Sequence, residues 1–333
     1  MDSTAQHPRA RISAMVREAY REEARREGND NHLADSAWSK WQSVNTRFYL
    51  GAQSAESLEW DMHDLWYLYY EAAKNISEEH PALDRLALHI IHAREQGLLV
   101  RDTGDTMTEA TTTDGQIWTG LPFLIPDMSH HWHQDHPALS SQHRLSFAKF
   151  LAKLAAAGVG RDDGLCQVAL ATFCKALEEE SRPLGSLVDH QQPEDPNRRE
   201  ADLSIAAYLP SVNVWLSWAG LKIIQISESN KSWNTSTSTG DSAPGPLFLR
   251  HAGGTAELGT GPSLGFCAAR WLFWLIRLES LAASFRNAGE EELSAFTSAM
   301  MDNMLVVVDA TGGPLKREVA RAQESGTVMR RLV

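Results

Sequence analysis

Residues 55–75 read AESLEWDMHDLWYLYYEAAKN. Leu58, Met62, Leu65, Tyr69 and Ala72 recur at alternating intervals of four and three, so they line one stripe of an α-helix. Trp66 and Tyr70 widen that stripe into a face that a helix buries against its neighbours. The same segment carries Glu59, Asp61, His63 and Asp64, and Asp61 and Asp64 are i,i+3 neighbours on a helix surface. Fold signal and the first candidate chemistry therefore share one helix.

The helical period extends in both directions. Upstream, residues 10–27 form a charged, weakly amphipathic stretch in which Arg11, Arg17, Arg21, Arg25 and Arg26 alternate with Glu18, Glu22, Glu23 and Glu27. Such alternation reads as a solvated helix with pairs one turn apart. Asp35-Ser36 offers a cap for a helix carrying Trp38, Trp41, Val44 and Phe48. Downstream, Pro81 opens a helix with Leu83, Leu86, Ala87, Ile90 and Ile91 inward, ended by Gly97. Residues 101–118 are polar and Thr-rich and read as a loop. Helices are expected at about 142–157, where Phe147, Phe150, Leu151 and Leu154 face inward, and at about 163–180, capped by Asp162 or Asp163. A helix over about 200–227 should be kinked or split by Pro210. Residues 228–262 have no period and read as a mobile loop. Helices at about 263–287 and 289–308 follow, before a charged tail.

The fold class expected is all-α: a single large irregular helical bundle with a Trp-rich core and long loops. Its organisation is a peripheral charged segment over 1–30, a helical domain over 31–310 with a flexible loop near 228–262, and a tail over 311–333. Composition agrees, with 43% hydrophobic residues and eleven tryptophans in 333 residues, enough for a substantial core. The net charge of −12 opposes capture of nucleic acid by the surface as a whole, so any such surface must be built locally. Three cysteines without a CxxC suggest reduced thiols and a cytoplasmic setting. No apolar segment near the N-terminus reads as a signal peptide. The run from Ala268 to Leu278 is too short, and too charged at Arg270 and Arg277, to span a membrane.

Several constellations are candidates for chemistry. Asp61 and Asp64, beside the aromatic run Trp66 to Tyr70, could bind a cation or act as acid and base; as helix-surface acids they are also ordinary. His130, His131, His133 and His136 lie within seven residues, with Asp127 and Asp135 nearby. Their order matches no closed zinc pattern and no cysteine pair accompanies them, so a helix start with solvated histidines is expected and no metal is assigned. Gly261-Pro262-Ser263-Leu264-Gly265 matches G-x-S-x-G, but no strand precedes it, so Ser263 reads as a helix cap. Glu178-Glu179-Glu180 ends a helix where negative charge opposes the dipole, and therefore needs solvent, a loop or a ligand to justify it. No P-loop, dinucleotide fingerprint or HExxH occurs, and no cofactor is implied.

The order of segments resembles a filamentous-fungal family known as domain of unknown function 3632. The stretches that carry the resemblance are DLWYLYYEAA from Asp64, HPALDRLALHIIHAR from His80, FAKFLAKLAAAGV from Phe147, CKALEEE, VWLSWAG from Val214 and SLGFCAARWLFWLIRLESL from Ser263. Together they cover roughly residues 35–290. The resemblance implies an enzyme of fungal specialised metabolism. Some members are similar to tRNA-dependent synthases that make arginine-containing cyclodipeptides and carry a DDxxE motif. Here the nearest doublet, Asp162-Asp163-Gly164-Leu165-Cys166, lacks the closing Glu, so no catalytic residue is carried across.

For such a reaction the candidate acids are Asp61, Asp64, Asp162 and Asp163. Trp66 and Tyr70 would contact a small-molecule substrate. Arg94, Arg144, Lys149, Lys153 and Arg270, or else the N-terminal arginines, would have to supply any face for aminoacyl-tRNA, and Lys149 and Lys153 share a helix face. Two other classes stay open: a non-catalytic helical binding protein, and a cyclase or isomerase with an aromatic pocket. A buried convergence of carboxylates favours an enzyme, whereas a closed core under a flat acidic surface favours a binding module.

Overall fold

Ser54 starts the central helix of the first half of the chain: its hydroxyl accepts the N–H of Ser57, and the helix runs as α3 (Ala55–Asn75). In the computed structural model, residues 8–26, 28–51, 54–104, 106–233, 243–253 and 265–326 are described. Ser263 lies outside them, as do large parts of the expected 228–262 loop. The class is all-α: twelve α-helices and two very small hairpins among the described residues. No helix among those residues is long and apolar enough to cross a membrane.

The chain forms two compact units. The first comprises Met1–His136 and Gln142–Leu165. Here α3 is packed by α1 (Pro8–Ala24), α2 (Asp30–Tyr49), α4 (Pro81–Glu95) and α5 (Leu124–Asp135). The last helix of this unit is α6 (Ser141–Ala156), whose Phe147, Phe150, Leu151 and Leu154 are buried as their spacing requires. His80 caps α4 with its ring nitrogen, and Pro81 occupies the first turn. Trp66 donates to the Pro122 carbonyl at 2.6 Å, Trp118 donates to Asn45 at 2.7 Å, and Trp38 stacks on Trp41 at 4.4 Å. Trp66 and Trp118 thus combine apolar burial with satisfied N–H groups.

The Thr-rich stretch read as a loop is instead two antiparallel hairpins, β1 (Val100–Asp102) with β2 (Met107–Glu109) and β3 (Thr111–Thr112) with β4 (Gly115–Gln116). β-Branched threonines favour extended backbone, and Asp102 accepts the Gly104 N–H to close the first turn. The histidine cluster lies on a regular helix, α5. Asp162 and Asp163 do not cap a helix at 163. They sit in a 3-10 turn with left-handed φ of 51° and 58°, and the next helix begins only at Cys166.

The second unit comprises Pro137–Ser141 and Cys166–Val333. Its helices are α7 (Cys166–Phe173), α8 (Ile205–Glu228), α9 (Pro246–Gly253), α10 (Ala268–Asn287), α11 (Glu291–Thr311) and α12 (Pro314–Glu324). α10 and α11 pair along their length, and α8 packs against α11. Ser204 caps α8, and the helix runs through Pro210 without being split. Proline forgoes one hydrogen bond, to the Ala206 carbonyl, and burial of residues on both sides of it keeps the helix continuous. The region read as one long loop contains α9. The charged tail contains α12, anchored by buried Leu315 and Val319.

One ion pair organises this unit. α7 continues into a π-helical turn, Cys174–Glu178, which leaves Glu178 wholly buried. Arg270 on α10 donates to both its oxygens at 2.8 and 2.9 Å, Trp274 donates at 2.8 Å, and so does the Gly245 N–H at 2.8 Å. Arg270 also reaches the Gly265 carbonyl and the Cys174 sulfur, each at 2.9 Å. Gly245 is required by contact: a Cβ there would lie 2.5 Å from that of Glu178. The glutamate run is thereby resolved, since Glu179 pairs with Arg182 and Lys175 and Glu180 pairs with Arg250.

Glu178→Ala should strand a buried guanidinium and lower unfolding free energy by about 3–5 kcal/mol. The double change Glu178→Leu with Arg270→Met should recover most of that loss. Urea denaturation followed by tryptophan fluorescence measures both, and a single change as mild as the double one overturns the assignment.

Candidate functional site

The polar residues of α3 continue past the two aspartates noted in the sequence. Asp61, Asp64, Tyr67, Glu71 and Lys74 follow one another at three- and four-residue steps and share a face. Asp61, Asp64 and Glu71 are all buried, Glu71 to 2% exposure. Buried carboxylates need compensation, and elements distant in sequence provide it. Arg47 of α2 brings Nη2 to 2.6 Å from Asp61. Ser13 and Arg17 of α1 both donate to Asp64, Arg17 at 3.0 Å. Arg21 of α1 donates to the Tyr67 hydroxyl at 2.8 Å and brings Nε to 3.9 Å from Glu71. Tyr67 and Lys74 donate to Glu71 Oε1 at 2.8 and 3.0 Å. The other oxygen, Glu71 Oε2, is buried and accepts no hydrogen bond.

α5 closes the other side. His131 stacks on Tyr70 with ring centroids 4.2 Å apart and planes 2° from parallel, and its Nδ1 lies 3.3 Å from Asp135. The Tyr70 ring also meets Phe147 edge-on, and Lys74 sits 4.7 Å above it. The Tyr70 hydroxyl is buried with no hydrogen bond of ordinary geometry, beside the Asp135 carboxylate. Burial, then the Asp135 and Glu71 charges, push the phenol far above its ordinary value. For Asp135, burial pulls upward, but contacts to His131 and Tyr70 together with the His131 and Lys74 charges outweigh it and hold the carboxyl below its usual value. Next to this group, His63 pairs with Asp127 at 2.7 Å and ties α5 to α3.

Of the sequence candidates, Asp61 and Asp64 are buried against α1 and α2, and Tyr70 lies further along the same helix against His131 and Asp135. Trp66 is buried on the same helix, held by Pro122. Asp162 and Asp163 lie in the 3-10 turn of the same unit, Asp162 exposed and Asp163 half-buried. Arg144 is buried in α6. Lys149 donates to the Glu78 carbonyl at 2.6 Å and Lys153 pairs with Asp84, so the face they share docks onto the start of α4. Arg94 donates to the Gly158 carbonyl at 2.8 Å. Arg270 belongs to the second unit, in the Glu178 cluster. The sequence does not single out Tyr67 and Glu71; it presents His131 and Asp135 as part of a histidine cluster, and the arginines of α1 as a solvated helix. Glu71 was reachable by carrying the Asp61–Asp64 face two turns further. Among the described residues no group of three or more His, Cys, Asp or Glu could hold a metal ion, and the three cysteines are free and buried.

Comparison with known proteins places these elements in a wider group. Residues 66–278 match the family described as "Protein of unknown function (DUF3632)", a span of more than half the chain. The chain belongs to the DUF3632 family. It is also 35% identical over 267 residues to "Oxopyrrolidines biosynthesis cluster protein G" of Penicillium oxalicum (strain 114-2 / CGMCC 5302), covering 79% of this chain and 71% of that protein. No solved structure matches. The DUF3632 match begins at Trp66, so it includes Tyr70, Glu71, His131 and Asp135 and excludes α1, Asp61 and Asp64.

Because the Asp135 carboxyl titrates lower in the folded chain than in the unfolded one, its ionised form contributes stability above the ordinary aspartate range. That contribution is lost as pH falls through the lowered value. Asp135→Asn should therefore destabilise the protein at neutral pH and flatten the acid limb of its stability curve. Urea midpoints measured from pH 7 down to the onset of acid unfolding test this; an acid limb as steep as in the unaltered chain contradicts it.

Proposed function

We propose that the chain is an enzyme of fungal specialised metabolism whose active site is the acidic and aromatic face of α3. The observation that carries this reading is the burial of three carboxylates along α3, Asp61, Asp64 and Glu71, the last of them beside Tyr70 and the His131–Asp135 pair. Packing alone does not call for three buried carboxylates, since apolar residues would fill the same volume without desolvating charge. The relative named for a biosynthesis cluster supports the setting, and three free buried thiols suit the cytoplasm.

In its finer form the proposal is aminoacyl transfer between aminoacyl-tRNAs, giving an arginine-containing cyclodipeptide. The α-amine of one aminoacyl group attacks the ester carbonyl of the other. The C–N bond forms, the ester C–O bond breaks, and the amine proton passes by way of the base to the departing tRNA hydroxyl. A second attack of the same kind closes the ring. Glu71, with one oxygen committed and one open, suits the role of base. Tyr70 suits donation to the developing oxyanion, because its phenol stays protonated. Asp61 and Asp64 suit the seating of a guanidinium.

The test is expression in a fungal or bacterial host and untargeted mass spectrometry of extracts against an empty-vector control. The expected result is a new ion with the mass of an arginine-containing cyclodipeptide, reduced about 100-fold or more by Glu71→Gln and by Tyr70→Phe in soluble, folded protein. Folded protein that yields no new ion sinks autonomous synthase activity. An ion that survives both substitutions sinks the site.

A further inference from the structure

α1 is held to its own protein in an unusual way. Among its described side chains only Ser13 and Ala24 are buried, and the apolar Ile12 and Met15 face outward, Met15 at 73% exposure. Packing of apolar surface is the usual source of helix docking, and here it is limited to buried Ala24 and part-buried Val16 and Tyr20, the last near Asp64 and Arg47. What remains is polar: Ser13 and Arg17 on Asp64, Arg21 on Tyr67 and Glu71, and both guanidinium groups over the Tyr67 ring at 5.1 and 6.0 Å. The two arginines keep partial solvent contact, with side chains 31% and 40% exposed. Pairs of that kind hold weakly and are screened by salt.

The surface beneath is the opposite. Asp64 and Glu71 are buried, and Glu71 Oε2 has no donor. Arg21 Nε stops 3.9 Å short of Glu71, too far for a hydrogen bond. Between α1 and α2 lies Gly28, at φ +72°, with nothing within 4 Å of where a Cβ would stand.

We infer that Asp64, Tyr67 and Glu71 form a binding site for a small organic dication carrying a guanidinium or primary ammonium, and that Arg17 and Arg21 of α1 occupy it as intramolecular stand-ins. α1 is therefore a cover that a cationic ligand displaces. The ligand's planar guanidinium takes the place of Arg17 on Asp64 and stacks on Tyr67. Its second cationic group reaches the open oxygen of Glu71, which α1 leaves unfilled. The free energy of holding α1 down is subtracted from ligand affinity, so weakening the cover tightens binding. The inference deepens the reading of the α3 face as a substrate seat, but its test does not depend on turnover.

The probe is agmatine, which has a guanidinium and a primary ammonium and no carboxylate. Calorimetric titration of the intact chain is compared with the double variant Arg17→Ala with Arg21→Ala, after circular dichroism has shown both to be folded. The variant should bind agmatine about tenfold more tightly. Adding Glu71→Gln to it should remove that gain. In the intact chain, hydrogen exchange of α1 should quicken when agmatine is added, while α3 stays protected. Equal affinity of the two proteins, binding that ignores Glu71→Gln, absence of binding to either, or an α1 that exchanges no faster with agmatine each overturns the inference. Tightened binding without any product ion in the extracts leaves this site standing and removes the synthase reading. A product ion with no agmatine binding does the reverse.

Discussion

A carboxylate buried on a helix must be answered by a donor from somewhere else, and that demand governs the first unit. Asp61, Asp64 and Glu71 lie along α3, and their own helix supplies Tyr67 and Lys74 to Glu71. Further compensation comes from Arg47 on α2 and from Ser13, Arg17 and Arg21 on α1. Apolar burial explains why α2, α4 and α5 surround α3. At α1 apolar burial is limited to Ala24 and part of Val16 and Tyr20, and charge compensation of Asp64 and Glu71 accompanies it.

The second unit meets the same demand differently. Both oxygens of Glu178 are filled by Arg270, Trp274 and the Gly245 N–H, and three atoms of Arg270 are engaged as well. A saturated pair of this kind fixes a π-helical turn and two glycine-containing segments, and offers nothing to a ligand. Glu71 is comparably buried but half filled. The two carboxylates thus differ in saturation, one closed and one open.

Much of the fold was legible. The stripe of Leu58, Met62, Leu65, Tyr69 and Ala72 is buried as its spacing requires, as are Phe147, Phe150, Leu151 and Leu154. Capping chemistry located the start of α4 at Pro81. The misreadings have local causes. Thr-rich segments look like loops until hairpin partners are known, and α9 and α12 are short enough to escape a period search. Pro210 looked like a break because its lost hydrogen bond is local, whereas the burial that outweighs it is not. Asp61, Asp64 and Tyr70 were recognised as candidates, while Glu71 was hidden by standing at the end of an aromatic run.

By itself the sequence determined the all-α class, the positions of most long helices and the acidic face of α3, because these follow from spacing along one chain segment. Only the tertiary structure decided which charges meet. That Arg17 pairs with Asp64, that Arg270 belongs with Glu178 rather than on a basic surface, and that His131 stacks on Tyr70 rather than joining a metal cluster are contacts between residues 47, 92 and 61 positions apart. No periodicity encodes such pairings. They arise when packing of apolar faces brings distant polar groups into a medium where each must find a partner.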